Sequence, residues 1–410
     1  MELTRGEIYC RLKLKKLIWS KQKLLDRIDI TRNLTLNFLK PLIYGHITGL
    51  ERNDSIGLIN PLNWEFGHVV FFWEYKTLKL LDENSNDTII LPNSIDIYDS
   101  FKVSRNDRWI VPVHSVKDIM KSYISILDRV KHIISKPNFE IDSTTTYLVL
   151  LSLLHNEMHN ESFLFTYQLL ALPMPTIFNK QNFVQGEVLN IEFIDIPGGI
   201  YKQGIDNDDA NFTFDNEMPS FQTKINNFKV SKYPITEHQF IQFVEDGGYK
   251  NSEYWSKPGW KWVQDNNITR PLYWEKFYDV WYCRRWDHYH KVEFGNNLPM
   301  SNISWYEADA FCRWNGCRLL KEGEWEYLAT NGGTSELVNT SSNSNLDYLR
   351  GGVVPVNYFN NDKNKWGVSQ LFGNVWEWCI EPIYPYDGFK IDPVYREMSY
   401  PYFGFKKICR

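Results

Sequence analysis

No stretch of the 410-residue chain approaches 18 consecutive apolar residues, so no membrane-spanning helix is expected. Cysteine is sparse. The six thiols (positions 10, 283, 312, 317, 379 and 409) include no CxxC pair, so they read as reduced cytosolic thiols rather than a disulfide framework or a zinc cluster. An excess of basic charge is also missing. The net charge is −5, which argues against nucleic acid or an anionic membrane as the main partner. Met1 to Lys16 alternates charged with apolar residues and lacks an apolar core and cleavage site, so secretion is not expected and the cytoplasm is. No period of 20 to 50 residues repeats. Aromatic side chains, in contrast, are plentiful: 16 Trp, 24 Tyr and 25 Phe. The length suffices for two or more domains, each with its own core.

The run from Tyr147 to Leu172 contains neither Pro nor Gly and predicts a long buried helix. It carries His155 and His159, four apart and so on one face, one turn above the other. That spacing suits two imidazoles on one metal ion. Two core histidines bonded to polar neighbours fit the spacing equally well. The zinc-protease pattern, with Glu directly after the first His, is absent, since Asn156 stands there and Glu157 lies about 100° further round the helix. A third histidine, His68, shifts the reading toward a metal. It sits in Asn60-Pro61-Leu62-Asn63-Trp64-Glu65-Phe66-Gly67-His68, where Pro61 suits a first helical turn and Asn60 its cap. Among aromatic neighbours, a buried histidine needs a hydrogen-bond or metal partner. With helical period also from Arg11 to about Gly45 and from Val116 to Ile134, residues 1–175 read as a four-helix bundle with one long connection.

Residues 176–188 read as a linker. Over 189–410 the periodicity changes to short alternating runs broken by Gly-, Asn- and Asp-rich turns. Candidate helices there are Glu237–Glu245 behind an N-cap Thr236, Trp305–Asn315 and Glu322–Thr330. The fold class is α+β, with a helical bundle followed by an irregular, Trp- and Gly-rich α+β domain.

Taken together, these words resemble a known family. His68 in its aromatic helix and His155-x3-His159-x-Glu161 are similar to a DinB-like domain. The second half resembles a formylglycine-generating-enzyme (sulfatase-modifying-factor) domain, of C-type-lectin-like fold. The resemblance rests on Ile196-Pro197-Gly198-Gly199, Tyr233-Pro234-Ile235-Thr236, Trp305-Tyr306-Glu307-Ala308, Arg318-Leu319-Leu320-Lys321-Glu322-Gly323-Glu324-Trp325-Glu326 and Gly373-Asn374-Val375-Trp376-Glu377-Trp378. This order of domains is that of the ergothioneine-type sulfoxide synthases. These non-haem iron(II) enzymes join a thiol to the imidazole of a histidine derivative using O2. The resemblance implies His68, His155 and His159 as the iron ligands, and neutral imidazoles suit Fe(II) while leaving positions open. It implies Arg105 and Arg108 as the groups holding the thiol substrate's carboxylates, a task suited to guanidinium forks, although solvated loop arginines fit as well. It further implies a proton-donating tyrosine, for which Tyr386 and Tyr395 are both candidates. Finally, it implies a calcium site near Asn374 to Glu377.

Two departures from the family pattern stand out. Met158 precedes the third histidine where well-known ergothioneine synthases carry a Gln, which points to a divergent, selenoneine synthase-like branch. Substrate identity therefore stays open between a thiol and a selenol, and between histidine and trimethylhistidine, as in ergothioneine, selenoneine and ovothiol biosynthesis. The family pattern also continues past Lys406-Lys407-Ile408-Cys409-Arg410 with an Arg-Gly-Gly-Ser-Trp segment, so a C-terminally truncated product is expected. The rival expectations are a DinB-type metal-dependent thiol transferase and a non-catalytic paralogue.

Overall fold

The computed structural model describes residues 4–5, 7–8, 17–44, 59–82, 90–178, 186–206, 211–292, 296–333, 343–348, 350–359 and 361–410. Cys10, the beginning of the first expected helix at Arg11–Lys16, its end at Gly45, and residues 179–185 of the expected linker lie outside these. The chain divides into two compact units. One comprises Met1–Pro175 with Ile205–Pro219 and Gly388–Pro401, and the other Thr176–Gly204, Ser220–Asp387 and Tyr402–Arg410.

In the first unit, four helices pack on one another: α1 (Lys21–Tyr44), α2 (Leu62–Trp73), α3 (Val116–Ser135) and α4 (Ser143–Leu169). Their starts follow from local chemistry. Ser115 accepts from the Asp118 N–H at 3.2 Å and Asp142 from the Thr145 N–H at 2.7 Å, each satisfying a first-turn donor that has no partner within its helix. Helix α4 consequently begins at Ser143, ahead of the expected Tyr147. At α2 the capping differs from the sequence reading. Pro61 itself holds the N-cap position, and the Asn60 side chain accepts from Arg108 instead of capping. Helix α2 is buried almost all round and runs into a π turn, Glu74–Leu78.

The sequence reading places 189–410 in one domain, whereas 205–219 and 388–401 pack with the helices. Buried carboxylates anchor them. Asp392 accepts from the Tyr147 hydroxyl of α4, and Asp215 accepts from the Asp392 N–H at 3.0 Å and the Ser399 hydroxyl at 2.6 Å. A buried carboxylate left without such donors would be costly, so these contacts specify where both segments lie.

The second unit is irregular α+β. Strands β1 (Phe193–Ile196) and β4 (Phe228–Ser231) pair antiparallel, as do β2 (Gly199–Gln203) and β3 (Phe221–Ile225). Strands β5 (Trp274–Phe277), β6 (Val280–Arg285) and β7 (His288–Lys291) form a meander, and β8 (Trp378–Pro382) pairs with β9 (Lys407–Cys409). Helix α5 (Glu237–Glu245) forms where expected, closed by a reciprocal Thr236–Gln239 capping box. Helix α6 (Lys257–Asp265) was not legible in the sequence, while α7 (Trp305–Trp314) and α8 (Glu322–Ala329) fall within their expected ranges. One core gathers Phe240, Phe243, Trp255, Trp274 and Phe311, and another gathers Ile196, Tyr201, Trp325, Leu328 and Ile408. Among the described residues no helix is long and apolar enough to cross a membrane.

A candidate metal centre in the helical unit

Helix α2 brings His68, and α4 brings His155 and His159, to one point. Their ring centroids lie 4.6 to 5.1 Å apart, and one nitrogen of each falls within 4.8 Å of the other two. The Nε2 atoms of His68 and His155 are 3.2 Å apart. Two imidazoles bound about 2.1 Å from one metal and at right angles to each other would place these nitrogens about 3.0 Å apart. The observed spacing is close to the one that two adjacent ligands would need.

Neighbouring groups fix which nitrogen faces inward. The Tyr98 carbonyl lies 2.7 Å from His68 Nδ1, a spacing at which Nδ1–H donates and Nε2 keeps its lone pair. The Glu65 carboxylate stands 2.7 Å from His159 Nδ1 and sets that ring in the same sense. Such outer partners orient metal-binding histidines and raise their basicity. His155 has no counterpart, and its Nδ1 is buried without a hydrogen bond. Its ring is held by stacking on Phe72, with centroids 3.7 Å apart. His68 stacks on Trp64 at 5.2 Å and 7°. Burial, followed by the electrostatic influence of His159, lowers the His68 pKa to about 3, and the same causes hold His155 well below the ordinary histidine range. Both rings are thus neutral at physiological pH, the form that donates a lone pair to a metal. His159 keeps 17 % side-chain exposure, so the cluster is not sealed from solvent.

Gly67 shapes this floor. A Cβ at this position would lie 2.1 Å from Cε1 of the fully buried Tyr98 ring, so only glycine lets Tyr98 pack where its carbonyl meets His68. Behind the triad, Asn156 accepts at 2.7 Å from the Tyr123 hydroxyl and at 3.1 Å from the Trp73 indole, fastening α4 to α3 and α2. Glu157 bonds to Thr31 of α1 at 2.5 Å and faces away from the triad, as its place on the helix requires.

The other expected residues are distributed unevenly. Tyr395 lies at the triad, its ring edge-on to His155 at 5.4 Å and to Phe72 at 4.9 Å. Its backbone N–H donates to Asp392 at 2.8 Å. Tyr386 belongs to the second unit, where its hydroxyl is 3.2 Å from Gln203 Nε2 and 3.3 Å from Arg410 Nη2. Arg108 lies over Trp64 at 4.0 Å and donates to Asn60 at 2.9 Å, one ring removed from His68. Arg105 is exposed on the same loop. In the expected calcium loop, the Asn374 amide is spent on Asn345, Val354 and Gln370, and Glu377 accepts from the Trp325 indole at 3.1 Å. The side chains there hold the loop itself together. Sequence reasoning missed Glu65 and the Tyr98 carbonyl. The Glu65-x2-His68 spacing, which puts both side chains on one face of α2, was the available signal.

The family model for the sulfatase-modifying factor enzyme 1-like domain matches residues 180–400, and the chain belongs to that family. Beyond the family domain, the chain is similar along most of its length to "Hercynine oxygenase" of Mycolicibacterium smegmatis, with 25% identity over 94% of this chain and 88% of that one. The corresponding protein of Mycobacterium tuberculosis is 27% identical over 85% of this chain and 82% of its own length. "Formylglycine-generating enzyme" of Thermomonospora curvata is 26% identical but aligns with only 45% of this chain and 70% of its own.

Proposed function

We propose that the protein is a non-haem iron(II)- and O2-dependent enzyme that forms a C–S or C–Se bond between a small thiol or selenol and the imidazole of a histidine derivative such as hercynine. The single observation that carries this reading is the convergence of three imidazoles from α2 and α4, two of them oriented by Tyr98 and Glu65. Likeness to the hercynine oxygenases over both halves of the chain supports it, because the formylglycine-generating enzymes align with fewer than half of its residues.

Three imidazole nitrogen donors on one side fit a ferrous ion better than a hard, oxygen-seeking cation, so His68, His155 and His159 are the residues that would hold iron in a DinB-like bundle. Bound there, iron(II) supplies the one-electron and O2 chemistry that no amino-acid side chain performs. The chain's own groups do the rest. Glu65 and Tyr98 keep the ring nitrogens aimed. Phe72 and Trp64 wall the cluster with apolar surface, restricting water. Tyr395, placed against His155, is the better situated of the two tyrosines to hold or deliver a proton. Arg108, braced on Trp64, offers donors for a substrate carboxylate, with Arg105 on the same loop. Met158, half-buried one residue before His159, offers no donor to an imidazole substrate. Recognition of that ring must therefore differ from an amide-based mode.

The test is anaerobic loading with Fe(II), followed by O2 uptake with hercynine or histidine and a small thiol, with mass spectrometry of the product. Uptake that requires both substrates, with a product carrying the thiol sulfur on the imidazole, is expected. Full metal occupancy by redox-inert zinc with thiol transfer and no O2 consumption would favour a DinB-type transferase instead.

A further inference from the structure

We propose that the second unit contains a separate binding site for a thiophilic divalent cation of the zinc class, made by Glu237, Cys283 and His290. The three come from different places. Glu237 is the first residue of α5, while Cys283 and His290 are direct cross-strand partners in the β6–β7 hairpin. Residues so paired project from the same face with their Cβ atoms about 5 Å apart, which brings a sulfur and an imidazole together without any sequence-local motif. One ligand atom of each of the three residues lies within 4.8 Å of the other two, and Glu237 Oε2 stands 3.0 Å from His290 Nε2. Two such donors on a tetrahedral zinc would be about 3.4 Å apart, so a small outward relaxation seats the ion.

The carboxylate is prepared to bind through one oxygen. Its other oxygen, Oε1, accepts from Arg285 Nη2 at 2.7 Å, and Arg285 lies two residues beyond Cys283 on the same strand face. An arginine on the far oxygen leaves Oε2 to the metal and fixes its direction, the role that outer-sphere partners play in metal sites. A bound cation takes the place of the Cys283 thiol proton and of the proton shared by His290 Nε2 and Glu237 Oε2; the first passes to solvent, and the second to solvent or to His290 Nδ1. One sulfur, one nitrogen and one oxygen are a donor set suited to zinc, with water as the fourth ligand on the partly exposed His290 side. The ion would clip the hairpin to the start of α5. It shares no residue with the histidine cluster of the helical unit, so it stands or falls independently of the iron reading.

Cobalt(II) chloride is the probe, because cobalt replaces zinc and gives a near-ultraviolet thiolate-to-metal charge-transfer band that histidine-only sites lack. Titrating the metal-free full chain should produce this band at about one equivalent, and zinc should bleach it by displacement. The band should vanish in Cys283→Ser and persist in Cys317→Ser and in His155→Ala. Arg285→Gln should keep the band but weaken cobalt binding about tenfold. If Cys283→Ser does not fold by circular dichroism, His290→Gln takes its place and should weaken cobalt binding at least as much as Arg285→Gln does. No charge-transfer band in the wild-type chain, or a band unaffected by Cys283→Ser or by His290→Gln, would overturn the site.

Discussion

Glu65→Gln isolates one feature of the histidine cluster. The carboxylate is 1 % exposed and accepts from His159 Nδ1 at 2.7 Å, while its second oxygen has no hydrogen-bond partner. Glutamine has the same length, and its carbonyl oxygen still reaches the imidazole, so geometry is kept and only the charge is removed. A charge-assisted hydrogen bond is about twice as strong as a neutral one, and removing such an outer partner costs about 10–100-fold in metal affinity. In free energy that is about 1.4–2.7 kcal/mol. The folded state without metal should respond differently. Loss of a buried charge is favourable, whereas the new amide N–H2 sits where Oε2 had no partner, costing about 1–3 kcal/mol. The two terms oppose, so the melting temperature should move little. The assay is anaerobic Fe(II) binding by competition with a chromogenic chelator, alongside thermal unfolding of the metal-free protein. Iron affinity within twofold of wild type, at unchanged stability, would refute the claim that Glu65 aims His159 at a metal.

Gly67→Ala should be severe, since its methyl meets the buried Tyr98 ring at 2.1 Å and a core without slack loses about 1–3 kcal/mol or more to overpacking; a melting temperature equal to wild type would contradict this packing. Both His68 and His155 have folded-state pKa values depressed below the ordinary one, so the unfolded chain takes up protons first on acidification. Stability of the metal-free protein should therefore be retained above pH about 6.5 and fall toward pH 4, by roughly 1.4 kcal/mol per pH unit for each ring, and His68→Gln should flatten the slope in denaturant titrations. Tyr395→Phe should leave iron binding intact and lower the yield of thiol-imidazole product relative to O2 consumed, while Tyr386→Phe should not; equal effects of the two would remove Tyr395 from its special place. Arg108→Ala should raise the KM for a carboxylate-bearing thiol more than it lowers kcat, read from initial O2-uptake rates.

Much of the histidine cluster was legible because it follows helical spacing. His155 and His159 share a face by their four-residue separation, and His68 falls on a helix announced by Pro61. Glu65 escaped notice because the Glu65-x2-His68 spacing marks a shared helix face but not the hydrogen-bond partner, which arrives from residue 159. The same limit hid Cys283 and His290. Their pairing depends on the register of a hairpin whose turn places Trp286 at φ 53°, a conformation that its residue type does not advertise. The joining of 205–219 and 388–401 to the helical unit rests on long-range carboxylate contacts such as Tyr147 to Asp392, which no local period encodes. Capping boxes, by contrast, are local. The helix at Glu237 was readable from Thr236 onward because its start is determined within four residues.

The proposed function requires that His68, His155 and His159 together hold one ferrous ion. Anaerobic iron titration of wild type and of His68→Ala, His155→Ala and His159→Ala, each checked for folding by circular dichroism, tests it most directly. One tightly bound iron per wild-type chain, lost together with substrate-dependent O2 uptake in each of the three variants, is the predicted result. Folded variants that keep full iron would contradict it.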